Sequence, residues 1–287
     1  STFISLLFAK LIKKPFIAEI RDLWPQVLVD LGGVNKKNFL IRILSFIEKE
    51  IYKHSNYVVV LAKGAEKYVR NKGASNVLWL PNGPDLENFN FIKIEKNHTE
   101  FGLNRPFKIF YTGAHGDANG LENVIEAAKL IDQKPIKFIF IGDGPKKIEL
   151  IRSSKNMHNI EFRDAVPKKD IPYILASADA ILLSLKNVPL FSYGISPNKL
   201  YDAYAIGRPV ITTVEGQINE EVRKNKLGCT SPPENPKKLA LAVIKLFNTS
   251  LDDRIKMGER ARNIAEKIYS RQRVNKLYEE LFLNLSK

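Results

Sequence analysis

The residues Phe191-Ser-Tyr-Gly-Ile-Ser-Pro-Asn-Lys-Leu-Tyr-Asp-Ala-Tyr-Ala-Ile-Gly-Arg-Pro-Val210 carry the clearest chemistry in this 287-residue chain. A glycine loop runs into Ser196-Pro197, which reads as an N-cap followed by proline at the first helical position. The amides of that first turn are then free, and with Lys199 beside them they suit a diphosphate. Gly194 lets the backbone approach such a ligand closely. Asp202 follows Lys199 by three residues and so shares its helix face, where a carboxylate accepts hydrogen bonds from the vicinal hydroxyls of a sugar. The competing account is an ordinary helix start with a Lys199–Asp202 surface ion pair worth a fraction of a kcal/mol.

A second loop, Tyr111-Thr-Gly-Ala-His-Gly-Asp-Ala-Asn-Gly120, leaves a strand and enters a helix that Asn119 would cap, with Glu122 three residues on. Its glycines leave room for phosphate or sugar. Gly113, Gly116 and Gly120 depart from the G-x-G-x-x-G spacing of a dinucleotide site, so an oxidoreductase reading is weak. His115 is either a solvated loop residue or a catalytic one. Ile141-Gly-Asp-Gly-Pro145 reads as a tight turn before a helix beginning at Pro145 and lacks the lysine of a Walker loop. Arg21-Asp-Leu-Trp-Pro25 lies just past a strand ending at Ile20, at the strand end where ligands of parallel sheets bind. The alternative is a strand-end turn in which Asp22 caps the next segment and Trp24 packs into the core.

Positioning these groups requires a sheet. Short apolar runs at Pro15–Ile20, Tyr57–Leu61, Val77–Leu80, Phe107–Tyr111, Lys137–Ile141, Ile160–Phe162, Ala180–Leu185 and Pro209–Thr213 predict buried strands. Helical spacing between them, as in Leu121, Val124, Ile125, Ala128 and Ile131, makes the architecture α/β, with doubly wound parallel sheets. The polar stretch Asp85–Arg105 separates two series. The predicted divisions are a first domain over 1–85, a linker over 86–106, a complete second domain over 107–268, and a last helix over 269–287 packing back toward the first. The first series begins mid-pattern at Ser1, so an amino-terminal truncation is expected.

Composition narrows the classes. One cysteine, Cys229, excludes an internal disulfide and a cysteine-based metal cluster, and fits a reducing cytoplasm. The run from Ser1 to Ile12 is too short and too charged to span a bilayer and lacks a signal-cleavage pattern. A net charge of +14 predicts anionic partners. The lysines do not interleave with aromatics as a nucleic-acid stacking platform does, so no nucleic acid is expected. Phe3, Leu6, Leu7 and Leu11 with Lys10, Lys13 and Lys14 form either a basic interfacial helix or a buried packing helix. The Leu40–Lys53 segment, with Arg42, Lys49 and Lys53 among Ile43, Phe46 and Ile51, supports the membrane-surface alternative.

Several motifs in order resemble the family 4 bacterial glycosyltransferases, of GT-B fold, near the sugar transferases of O-antigen and capsule synthesis. They are Phe16-Ile-Ala-Glu-Ile-Arg-Asp-Leu-Trp-Pro25, Leu80-Pro-Asn-Gly83, Tyr111-Thr-Gly-Ala-His-Gly116, Phe140-Ile-Gly-Asp-Gly-Pro145, Ala178-Asp179, Ser196-Pro-Asn-Lys-Leu200 and Ala205-Ile-Gly-Arg-Pro-Val-Ile211. The likeness covers nearly the whole chain.

The resemblance implies two Rossmann-like domains facing a cleft, the first incomplete, with the donor nucleotide held by residues 107 to 215. It assigns Gly113, His115, Gly116, Arg163, Gly194, Ser196, Lys199, Leu200 and Asp202 to the donor: Lys199 and the loop amides on phosphate, Asp202 on ribose, the base near Arg163–Val166. Arg21 and Asp22 would stand near the reacting centre on the acceptor side, and Lys199 joins them as the catalytic set. It implies a UDP-linked sugar donor, a lipid-linked glycan acceptor, retention of configuration, no cofactor, and a site at the inner face of the plasma membrane. No metal is expected, since the sequence has no Asp-x-Asp cluster where a divalent ion would sit. The family's pair of glutamates eight residues apart is replaced here by Gly194 and Asp202. Its usual basic residues after the first glycine loop are replaced by His115, Asp117 and Asn119. A non-catalytic nucleotide-sugar-binding fragment is the main rival. A nucleotide-sugar epimerase ranks below it, for want of carboxylates and histidines facing a sugar from both domains.

Overall fold

A computed structural model describes residues 2–89 and 105–286. The expected linker over 86–106 falls mainly on 90–104, outside the described residues. In chain order the first elements are α1 (Thr2–Leu11), β1 (Ile17–Ile20), α2 (Gln26–Asp30), α3 (Phe39–His54), β2 (Tyr57–Val60), α4 (Ala65–Asn71) and β3 (Val77–Trp79). Then come β4 (Phe107–Thr112), α5 (Leu121–Lys129), β5 (Ile136–Ile141), α6 (Lys147–Ser153), β6 (Ile160–Arg163), α7 (Ile171–Ala176), β7 (Ala180–Leu183), α8 (Pro189–Ser192) and α9 (Asn198–Ile206). The last are β8 (Val210–Thr212), α10 (Gln217–Lys224), β9 (Gly228–Thr230), α11 (Pro236–Phe247), α12 (Leu251–Ile264) and α13 (Arg271–Leu285).

The chain divides into two compact units. The first holds Ser1–Asn82, Val188–Ser196 and Gln272–Lys287; the second holds Gly83–Asn187 and Pro197–Arg271.

In the first unit three parallel strands lie in the order β1-β2-β3. Alternation along each strand sends side chains to opposite faces, and both faces are covered. Ala18, Val58 and Val60 join Leu6 of α1, Tyr52 of α3 and Val69 of α4 in one core. Val59 and Leu80 meet Val274 and Leu281 of α13 on the other face. Burying valine- and isoleucine-rich strands on both sides removes roughly 1.5–3 kcal/mol worth of apolar exposure per large side chain.

The second unit has six parallel strands in the order β6-β5-β4-β7-β8-β9. Chain order reverses direction between β4 and β7, which makes the carboxyl ends of those two strands the switch point where such sheets bind ligands. Its core is built from Ile109, Phe138, Phe140 and Leu182 on the strands with Val124, Ala128, Leu239 and Val243 on the helices. A buried carboxylate anchors the start of β4: half-buried Arg105 donates to both oxygens of Asp179 at 2.9 Å, and Asp179 also accepts from the Lys108 amide at 2.8 Å. Strand β9 has no apolar run to predict it; only Cys229 of Gly-Cys-Thr is buried.

Helix α9 is fixed from behind. The Glu221 carboxylate of α10 accepts from Tyr204 Oη of α9 at 3.0 Å and from Tyr269 Oη at 2.6 Å.

Candidate nucleotide site

Helix α9 begins one residue later than expected, at Asn198, with Pro197 as its N-cap and no side chain closing the cap. The Leu200 amide donates to Pro197 O at 3.0 Å. Ser196 is therefore not the N-cap residue; its Oγ accepts from the Asn82 amide at 3.1 Å and its carbonyl from Asn82 Nδ2 at 3.1 Å. The Leu200 side chain is buried, so only its backbone is available to a ligand.

Lys199 reaches from α9 to the end of β4. Its Nζ donates to Tyr111 Oη at 3.0 Å and to Asn119 Oδ1 at 3.3 Å, and lies 4.2 Å from the centre of the Tyr111 ring. Tyr111 Oη in turn donates to Ala114 O at 2.7 Å. Among the described residues no carboxylate pairs with Lys199, so the expected alternative of a Lys199–Asp202 ion pair is not what forms. Burial without a counter-charge pushes the ammonium down to about 8. The result is a half-buried cation fixed by neutral oxygens at the switch point, 3.3 Å from where a Cβ on Gly113 would stand. Such a cation lacks an anion that a phosphate would supply.

The β4 and β5 loops are zipped together. The His115 amide donates to Asp143 O at 2.8 Å, and the Lys146 amide donates to His115 O at 2.9 Å. A Cβ at Gly142 would sit 2.0 Å from Gly113 O, which only glycine avoids. Helix α6 starts at Lys147 rather than at Pro145. His115 is not a solvated loop residue: it is fully buried against Tyr111, Phe140 and Phe162, and neither ring nitrogen has a partner. Burial first, then Lys147 and Lys199, hold its pKa down against Asp143. Gly116 is extended and its Cβ position is in ordinary contact with Asn119. Asn119 caps nothing. Gly120, at φ 57°, precedes α5, which frees the Asn119 amide oxygen for Lys199.

Asp202 is half-buried, and burial pushes its carboxyl up to about 6 against the pull of Lys168 and Arg271. Arg163 is exposed at the end of β6, where its Nε pairs with Glu161 at 2.6 Å. Its carbonyl accepts from the Gly142 amide at 3.3 Å and from Lys147 Nζ at 3.1 Å.

In the first unit, Gly194 sits at φ 90° with its Cβ position 3.3 Å from the Ala62 side chain. Arg21 is exposed past β1; its Nε binds Glu19 Oε1 at 2.8 Å, and Glu19 Oε2 accepts from Tyr278 Oη at 2.7 Å. Burial raises the Glu19 pKa, but those two hydrogen bonds win and hold it below the usual carboxylate range. Asp22 is exposed and does not cap α2, whose N-cap is Pro25. Trp24 is not in the core: it is 54% exposed while Leu23 is buried. The backbone turn that joins the Trp24 amide to Asp22 O at 3.0 Å turns Leu23 inward instead.

The second unit thus brings Lys199, Gly113 and the 113–120 loop together, and adds two groups that motif reading missed, Tyr111 and Asn119. Tyr111 reads as one more strand residue. Asn119 reads as a cap.

Residues 106–249, half of the chain, match the family model described as glycosyl transferases group 1. The chain is 25% identical over 270 residues to the probable glycosyltransferase WbjE of Pseudomonas aeruginosa, covering 88% of this chain and 64% of that protein. It is 25% identical over 220 residues to the putative colanic acid biosynthesis glycosyl transferase WcaI of Escherichia coli strain K12, covering 73% and 53%. The chain therefore spans somewhat more than half the length of these curated relatives. Anabaena HepE, solved with UDP, superposes with a TM-score of 0.77 at 14% identity over 99% of this chain and 76% of that one. HepE has also been solved with UDP-glucose. Two parallel α/β units and this likeness give the GT-B fold. The chain belongs to the glycosyl transferases group 1 family.

Proposed function

We propose that the chain transfers a sugar from a nucleoside diphosphate donor, UDP-linked, to a lipid-linked or glycan acceptor in cell-surface polysaccharide synthesis. The observation that carries the reading is Lys199: a cation at the β4–β7 switch point, held by Tyr111 and Asn119 and lacking an anionic partner among the described residues. The UDP and UDP-glucose complexes of HepE support the donor class. The likeness to WbjE and WcaI supports the polysaccharide setting.

In this reading the diphosphate lies against Lys199, the 113–116 loop and the first turn of α9, and Asp202 accepts hydrogen bonds from the ribose hydroxyls. The base lies near Arg163. The leaving diphosphate gains charge as the glycosidic bond breaks, so a preset cation acts most in the transition state. Transfer proceeds with retention and without a metal, as the family resemblance implies. Arg21 and Asp22 serve the acceptor side, and the acceptor is met at the inner face of the plasma membrane.

Donor hydrolysis by the purified chain tests this. Lys199→Ala is expected to lower turnover more than donor affinity. Wild-type turnover by Lys199→Ala at saturating donor contradicts the assignment. Gly194, at the position where the family resemblance implies a carboxylate, favours a second reading, a nucleotide-sugar-binding protein without turnover; UDP binding with no hydrolysis selects it.

A further inference from the structure

In the second unit, the carboxyl ends of β5 and β6 are joined by a side chain outside the donor set expected from the sequence. Lys147, the first residue of α6, directs all three of its ammonium donors there. Its Nζ reaches Gly142 O at 2.9 Å, Arg163 O at 3.1 Å and Asp164 Oδ1 at 2.8 Å. Two of these acceptors are strand-end carbonyls of neighbouring strands, whose last paired residues are Ile141 and Arg163. An ion pair with Asp164 alone would hold the lysine loosely, since that carboxylate is fully exposed. The Lys147 side chain is nevertheless only 13% exposed. The two carbonyls fix the ammonium, and the ammonium in turn fixes them.

Arg163 O also accepts from the Gly142 amide at 3.3 Å, so both of its lone pairs are occupied and it has nothing left for a ligand. Beyond it, residues 164–166 run without helix or strand. Pairing resumes at Pro167, whose carbonyl accepts from the Asp170 amide at 3.0 Å. Among the described residues the amides and carbonyls of 164–166 meet no hydrogen-bond partner. Such a segment offers donors and acceptors in alternation, as reading the Watson–Crick edge of a base requires. Uracil presents one N–H between two carbonyl oxygens; adenine presents the reverse order of donor and acceptor. Backbone groups discriminate between them only while the segment keeps its register, because the wrong base must then face like groups. Resting on the placement of the base near Arg163 proposed above, we infer that Lys147 is a positioning residue for the base. By clamping Gly142 O and Arg163 O it holds residues 164–166 in the register that reads uracil. It thereby sets selectivity among nucleoside diphosphates and leaves the diphosphate to Lys199.

Calorimetric titration of the 287-residue chain with UDP and with ADP separates base reading from diphosphate binding, since the two nucleotides differ only in the base. Wild type is expected to bind UDP about tenfold or more tightly than ADP. Lys147→Met should bring UDP to within about threefold of ADP, while ADP affinity stays within about threefold of wild type. That retained ADP binding also shows the variant to be folded. Lys146→Met is the control: its ammonium pairs with Glu149 at 2.8 Å and touches neither carbonyl, so the ratio of UDP to ADP affinity should not change. A wild-type preference for UDP in Lys147→Met overturns the inference. So does an equal loss of both nucleotides, which would mark a general charge or folding role, or a matching loss of preference in Lys146→Met. These results leave the donor reading standing. Equal affinity of wild type for UDP and ADP overturns the inference because no base is then read, and failure to bind either nucleotide overturns the donor reading along with it.

Discussion

If Lys199 is the phosphate cation, UDP affinity must fall with pH in a window set by that one side chain. Burial puts the free ammonium at about 8. A bound diphosphate restores a counter-charge and keeps it protonated well above that, so binding draws on the protonated fraction alone. The dissociation constant then scales as one plus ten to the power of pH minus 8: about 1.1 at pH 7 and about 11 at pH 9, or roughly 1.4 kcal/mol weaker. A terminal phosphate ionises near 6, below this window. Calorimetric titration with UDP at pH 7, 8 and 9 in two buffers of different ionisation enthalpy should show the tenfold loss together with proton uptake at pH 9. Lys199→Met should bind more weakly at pH 7 and show no slope.

The same residue makes a stability prediction of opposite sign. Its folded pKa lies below the unfolded value, so the unfolded chain holds more protons between about 8 and 10.5 and stability rises with pH there. Below 8 the burial cost, about 3 kcal/mol, is fully present. Lys199→Met removes it and loses two hydrogen bonds of about 1 kcal/mol each, so the free protein should gain about 1 kcal/mol at pH 7. A flat pH profile for wild-type UDP binding, a slope that survives Lys199→Met, or a variant destabilised by several kcal/mol would refute the reasoning.

Three further outcomes are expected. Asp202→Asn should weaken UDP binding about fivefold to tenfold by calorimetry, yet stabilise the free protein by about 2–3 kcal/mol at pH 7 to 8. The sign follows from a folded carboxyl at about 6, whose cost is present above that pH and fades as pH falls toward 3.8. Asp179→Ala removes the carboxylate that accepts from the Arg105 guanidinium and the Lys108 amide, while Arg105 keeps its bond to Pro106 O, and urea denaturation should show a loss of about 2–3 kcal/mol. Gly142→Ala places a methyl 2.0 Å from Gly113 O; it should cost more than about 2 kcal/mol and reduce UDP affinity, because the 113–116 loop must move.

The strands were legible because both sheets are parallel and buried on both faces, so Val58–Val60 and Phe138–Ile141 read as continuous apolar runs. Strand β9 was not, since Gly-Cys-Thr pairs through its backbone alone and only Cys229 is apolar. The placement of Lys199 was legible from the loop-to-helix pattern, but its partners were not. Tyr111 and Asn119 precede Lys199 by 88 and 80 residues, and local rules give each a sufficient local duty, as strand and as cap. Ser196 shows the same limit in reverse: the N-cap position falls one residue later, on Pro197, and Ser196 Oγ meets Asn82, 114 residues earlier. Of the two readings of His115 the solvated one fails, because the loops after β4 and β5 bury the ring, and Trp24 leaves the core it was expected to fill, because the Asp22–Trp24 turn puts it in solvent.

A crystal structure of the chain with UDP tests the central claim most directly. The account predicts diphosphate oxygens within hydrogen-bonding distance, about 2.7–3.2 Å, of Lys199 Nζ and of amides in the 113–116 loop, with the ribose hydroxyls on Asp202. UDP bound elsewhere, or Lys199 Nζ still held only by Tyr111 and Asn119 in a fully occupied complex, would contradict it.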